Sequence, residues 1–324
     1  MTLTVSWPYA ADARSCSTRW SPATRCRGRF GAWRALVSLP SLLGGALLVL
    51  VLTAALGEWQ SPALLLWLSV GVLVSTTPGE RLAVRLGLGF RPLSARQQQL
   101  LEPVSAAALA RCGLRSDVVD WYAQTGRQPN ACAAGRRSVA VSEGALEDFL
   151  AGRLPADLLA AVLIHELGHH ATRAGHYGLA ATWFAAPSRL AFRLVMCLTV
   201  LTSGGRRPGG VTSLVVAVGG AVAIVQTAQQ RQWLSAVVLS AVAFALVVTP
   251  LLDGLVSRAS EQAADRHAVA VGAGPDLARA LQVMAGPFVS TGGVTARLLD
   301  RHPTVDSRLS RLRRPAAAGL GGCP

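Results

Sequence analysis

Two histidines four positions apart, with a glutamate directly after the first, make His165-Glu166-Leu167-Gly168-His169 the stretch of this chain best suited to chemistry. On a helix, residues i and i+4 share a face, so His165 and His169 can present two imidazoles to one metal ion. Glu166 is rotated about 100° from His165 along the same helix. That sets its carboxylate beside the metal rather than on it, the place for a general base. Six His and seven Glu among 324 residues would give this pattern by chance only roughly 0.002 times, so it is not noise. The expectation is a zinc hydrolase with one Zn2+ per chain.

The motif needs a helix and a third ligand. Pro155 and Asp157 suit a first turn, Leu158, Leu159, Val162 and Leu163 give an apolar face, and Gly175 suits a stop. Catalytic zinc usually takes three protein ligands and keeps one position open. Glu261 is the best candidate for the third. Asp265 lies one helical turn beyond it, placed to accept a hydrogen bond from a ligand imidazole and fix its tautomer. His170 faces about 100° away from His169, and like His176 and His267 it reads as a packing or surface residue.

The elements around this site read as membrane-bound. The chain is 51% hydrophobic and 15% charged, against about 25% charged in ordinary soluble domains. Its net charge of +14 comes from Arg alone, spread along the chain beside apolar segments, which argues against nucleic acid as the partner and fits juxtamembrane anchoring better. Six cysteines without a C-x-x-C pair indicate free thiols in a reducing compartment. An Arg-rich cytoplasmic tail (1–34) precedes a transmembrane hairpin (35–78), with spans at 35–56 and 61–78; it is no signal peptide. The first part of a mostly soluble domain, with the motif helix, follows (79–205), then a second hairpin (206–252) with spans near 209–228 and 233–252. The second part of the catalytic domain (253–313) carries Glu261, and residues 314–324 form a disordered tail. The short apolar run at 194–201 reads as an interfacial piece, since an even number of spans must separate His169 from Glu261. Arginines at 81, 85, 91 and 96, at 206 and 207, and at 258 put the site on the cytoplasmic face of the plasma membrane. Within the soluble part, 94–111 has helical periodicity, and 118–122 and 138–141 read as strands joined by a polar loop around Gln128-Pro129-Asn130.

Taken together, the H-E-x-x-H motif, the Glu261…Asp265 helix and the paired hairpins resemble the HtpX-like membrane zinc metalloproteases, a broad family that includes the CAAX prenyl proteases. Weaker matches are Pro129-Asn130-Ala131-Cys132-Ala133-Ala134-Gly135, Gly144-Ala145-Leu146, and Arg301-His302-Pro303 followed by Arg308 and Leu309. Cys132 stands where the family usually has an aromatic residue. The resemblance implies an α-rich α+β fold with a zincin-like catalytic domain, and a zinc metalloendopeptidase acting on membrane or misfolded polypeptides. It implies Glu166 as general base and an edge strand at Ser138, Val139 and Ala140 that pairs with an extended substrate, with Asn130 touching its backbone. A further donor for the oxyanion is expected from His302 or Arg308, with Arg258 a third candidate.

Two rival readings remain at this stage. Pro250-Leu251-Leu252-Asp253-Gly254 looks like the signature of a site-2-type intramembrane protease, in which Asp253 would supply the third ligand. A membrane sensor with a zinc-protease-like domain is the other.

Overall fold

The computed structural model describes residues 39–40, 42–171, 178–202, 210–285 and 305–312. The N-terminal tail, Gly175, His176, Arg206, Arg207, His302 and the C-terminal tail lie outside them. The described elements are, in order, α1 (Leu42–Ala54), α2 (Gln60–Val74), α3 (Thr77–Leu88), β1 (Phe90–Pro92), α4 (Ala95–Arg111), β2 (Asp120–Gln124), β3 (Ala131–Ala134) and β4 (Ser138–Ser142). They continue with α5 (Glu143–Leu150), α6 (Ala156–Ala171), α7 (Gly178–Thr202), α8 (Gly210–Gln229), α9 (Trp233–Ala270), α10 (Gly274–Ala285) and α11 (Val305–Leu312). This is a helix-rich α+β fold with one small mixed sheet.

Local chemistry sets the element ends. Ser94 and Gln97 form a reciprocal capping box at the start of α4, satisfying two backbone donors that the helix cannot. Ser142 closes β4 and caps α5, its Oγ accepting from Ala145 N–H at 3.1 Å. Pro155 and Asp157 open α6 as expected, and every residue from Leu158 to Gly168 on that helix is buried.

The sheet order is β1-β2-β4-β3, with β2 and β4 parallel and the other pairs antiparallel. β4 is buried along its whole length because both faces are covered. Successive side chains alternate across a strand. Val139 and Val141 enter the main core with Leu101, Val104, Leu159, Leu163, Ile164 and Leu167 from α4 and α6. Ala140 instead joins Val84, Phe90 and Tyr122 in a smaller cluster beneath α3. Each fully buried Leu or Ile on α6 contributes about 1.5–3 kcal/mol, which anchors the motif-bearing helix between sheet and α9.

Several expectations change. The strand expected at 118–122 runs from Asp120 to Gln124, because residues 116–118 form a 3-10 turn. The polar loop after Asn130 leads directly into β3, whose Ala-Cys-Ala-Ala sequence has no β-branched residue to announce it. The run at 194–201 is no separate piece: α7 is one 25-residue helix that continues through Pro187. Arg189, which reads as an interruption in sequence, forms a two-bonded pair with Asp253 of α9 at 2.9 and 3.0 Å. α9 itself runs unbroken for 38 residues, carrying the chain from the second apolar hairpin straight to Glu261 and Asp265. Among the described residues no single helix is long and apolar enough to cross a membrane; α2 with its preceding turn and α3 pass together, bent by 102°.

Candidate active site

The site forms where α6 crosses α9. Gly168 allows the close approach: a Cβ there would lie 3.1 Å from Ala264 Cα, 3.2 Å from Ala264 O and 3.3 Å from His267 Cβ. The crossing brings Glu261 over the two motif histidines. Its Oε2 lies 3.3 Å from His165 Nε2 and its Oε1 lies 3.6 Å from His169 Nε2. Bonds of about 2.0–2.2 Å at tetrahedral angles separate neighbouring ligand atoms by about 3.3–3.6 Å, so each Glu261 oxygen stands at a ligand-to-ligand distance from one of the two imidazoles. His165, Glu166 and His169 likewise offer ligand atoms that all lie within 4.8 Å of one another.

Each histidine is held from behind. His165 Nδ1 lies 3.1 Å from Asp265 Oδ1, and His169 Nδ1 lies 3.0 Å from Ser260 Oγ. Both contacts leave Nε2 facing Glu261, which is what a metal-binding tautomer requires. Arg308 of α11 completes the inner layer. Its Nε and Nη2 meet the two Asp265 oxygens at 3.1 and 2.6 Å, and Nη1 lies 3.3 Å from Glu261 Oε2. This buried guanidinium meets Asp265 and Glu261, and its Nη2 also lies 3.2 Å from His165 Nε2. His302, the other oxyanion candidate, lies outside the described residues, and Arg258 sits on α9 one turn before Glu261.

The electrostatics favour a cation. Three carboxylates (Glu166, Glu261, Asp265) are gathered around one guanidinium and the two motif imidazoles. Burial alone would lower the pKa of His165, yet the hydrogen-bonded carboxylates of Asp265 and Glu261 raise it to about 9. Burial opposes the Asp265 charge, but its bonds to His165 and Arg308 prevail and hold its pKa below the ordinary value. His169 goes the other way, to about 3, through burial and the charge of His165. Burial pushes the Glu166 carboxyl up to about 7 against the pull of His165, with the charge of Glu261 adding to the rise. That places a proton-accepting group close to neutral pH, as general-base work needs.

The substrate-side expectation is corrected. Ser138, Val139 and Ala140 lie on β4, whose two edges are taken by β2 and β3, so no extended peptide can pair with them. The open edge beside the motif is β3. Its Ala133 N–H donates to Glu166 Oε2 at 2.7 Å. Asn130 is exposed at the start of that strand. His170 is buried, with burial lowering its pKa to about 4, and it is not among the clustered ligand groups.

Sequence reasoning missed Glu80, Ser260 and Ala133. Glu80 of α3 is buried. Its carboxylate accepts from the backbone N–H groups of Arg136 and Arg137 at 3.0 Å, and from Ser138 Oγ at 3.2 Å. It thereby pins the β3–β4 turn, where Gly135 takes φ +63° and a side chain would strike the carboxylate. The available signal was a lone acid among arginines at 81, 85 and 91.

The family model of Peptidase family M48 matches residues 94–316, more than half of the chain. The chain belongs to Peptidase family M48. This is the family to which the motifs of the sequence point, and the M48 match takes in α6, the Glu261 helix and Arg308 alike. Membership makes the chain a metallopeptidase, a hydrolase. Among solved structures it is similar to the crystal structure of S. mikatae Ste24p, at 16% identity and a TM-score of 0.44. That likeness covers 77% of this chain and 57% of the other, so the M48 chain spans little more than half the length of that protein. No curated protein matches it in sequence.

Proposed function

We propose that this M48 chain is a membrane-anchored zinc endopeptidase whose site faces the cytoplasm and whose substrates are membrane or misfolded polypeptides. The observation that carries the reading is the convergence of His165 Nε2, His169 Nε2 and the Glu261 carboxylate at separations suited to one tetrahedral ion, with Glu166 beside them. Zinc, when bound, lowers the pKa of water from about 15.7 towards about 7 and polarises a carbonyl. The chain's own residues do the rest. Glu166 takes a proton at its carboxylate and can return it to the leaving amine. Asp265 and Ser260 hold the two imidazoles, and Arg308 holds Asp265. The β3 edge offers backbone groups to an extended peptide, the mode of recognition that gives affinity without demanding one side-chain sequence.

Membrane anchoring is supported by the apolar surface left uncovered on the outer helices, including Leu65, Leu66 and Val72 on α2, Val222 and Val225 on α8, and Leu234 and Val237 on α9. The arginines that follow α2 support the cytoplasmic side. The rival in which Asp253 binds zinc loses its support. Asp253 is engaged by Arg189 and stands eight residues before Glu261, about 12 Å along the helix. The test is Glu166→Gln, compared with wild type in membrane proteomes and in zinc content. The variant is expected to retain zinc while its substrates accumulate uncleaved; proteolysis surviving the change refutes the proposal.

A further inference from the structure

We infer that α3 lies on the surface of the phospholipid bilayer, its outer leucines in the headgroup–acyl boundary, while its inner face holds the active-site edge strand. The inference rests on the membrane reading above and adds to it a specific contact surface.

α3 has two faces of opposite character. Inward, Gly79, Glu80 and Val84 are buried, Val84 in the cluster with Phe90, Tyr122 and Ala140. Outward, Leu82 and Leu86 stand one helical turn apart at 52% and 79% exposure, with Leu88 also exposed. The other exposed side chains with charge on this helix are Arg81, paired to Asp120 at its edge, and Arg85; the one acid, Glu80, is buried. With Arg81 neutralised by Asp120, the exposed Arg85 beside Leu82, Leu86 and Leu88 is the charge that matches an anionic headgroup surface.

The position of α3 in the chain points to the same partner. It follows the apolar α2 across a 102° bend, the angle expected where a chain leaves the bilayer core and turns along its surface. The bend is fixed. Ser75 Oγ and Thr76 Oγ1 donate to the α2 carbonyls of Val72 and Leu73 at 2.6 and 2.7 Å, adding to the backbone N–H bonds those carbonyls already accept from the same two residues. Gly79 lets the new helix fold against the end of the old one, since a Cβ there would collide with the Leu73 carbonyl. Thr76 caps α3 and Gly89, at φ +68°, ends it.

Glu80 then connects this surface to the site through the β3–β4 turn, whose strand β3 carries the Ala133 N–H that meets Glu166. α3 therefore sets how high the edge strand stands above the lipid.

The experiment uses the full chain, cysteine-free and shown to cleave, in vesicles of phosphatidylcholine and phosphatidylglycerol. A bimane fluorophore is attached at Leu86→Cys, Leu66→Cys on α2 or Val283→Cys, exposed on α10 across the sheet from α3. Each is quenched by lipids spin-labelled either near the headgroup or near the chain end. The expected result is at least two-fold stronger quenching of the Leu86 site by the shallow label than by the deep one. Leu66 should show the reverse order and Val283 neither. Leu86 behaving like Val283 while Leu66 is quenched overturns the inference and leaves the membrane reading standing. Leu86 quenched mainly by the deep label also overturns it, making α3 part of a span. If Leu66 is unquenched too, the membrane reading itself fails.

Discussion

Replacing Gly168, the fourth residue of the motif, with alanine should weaken zinc binding without weakening the fold. A Cβ at 168 would lie 3.1–3.3 Å from Ala264 and His267, short of the 3.4–4 Å of ordinary contact, so α9 must withdraw by a few tenths of an ångström. Ala264 lies between Glu261 and Asp265, and metal–ligand distances tolerate only about 0.2 Å. Disturbing such support typically costs about 10–100-fold in metal affinity, which is about 1.4–2.8 kcal/mol. Alanine also gains about 0.5–1 kcal/mol of helix propensity over glycine, so the metal-free Tm of Gly168→Ala should stay level or rise. Gly168→Val adds overpacking of about 1–3 kcal/mol, and should lower both Tm and affinity. The assay is competition against a chromophoric zinc chelator, alongside calorimetry of the chelated protein. Wild-type zinc affinity in both variants would refute the claim that this crossing places Glu261.

Three further outcomes are expected. Ser260→Ala should reduce zinc affinity about 10-fold by releasing His169 Nδ1, and Ser260→Thr should restore it, both read by the same chelator competition. Glu80→Ala leaves buried backbone N–H groups of the β3–β4 turn without their carboxylate and should cost about 3 kcal/mol in denaturant unfolding, with Glu80→Gln milder. The chelated protein should be most stable near pH of about 6.5. Above that, the folded state holds the His165 proton up to about 9 while the unfolded chain loses it, so stability falls as pH rises. Below it, the unfolded chain gains protons that buried His169 and His170 refuse until about 3 and 4, so stability falls as pH drops. Glu166, protonated in the fold up to about 7, opposes this acid loss with one proton against two. A thermal-melt series across pH tests the maximum; a monotonic trend would refute it.

The metal-binding pair was legible in the sequence because its geometry is local. Two histidines at i and i+4 share a face on any α-helix, whatever surrounds it. The same 3.6-residue periodicity foretold α4, α6 and the acidic pair Glu261 and Asp265. Strand order has no such local source. Which edge stays open depends on pairings between distant segments, so residues 138–140 passed for an edge until β3 was seen to cover it. Ala131–Ala134 could not announce itself, since small residues carry little β preference. Nor could spacing reveal that Arg308 turns towards Asp265, that Arg189 engages Asp253, or that Glu80 reaches 56 residues along the chain to a turn. Those are partnerships of buried and half-buried charge, decided only when packing withdraws water and each ionised group must find a counterpart among whatever the fold has brought near.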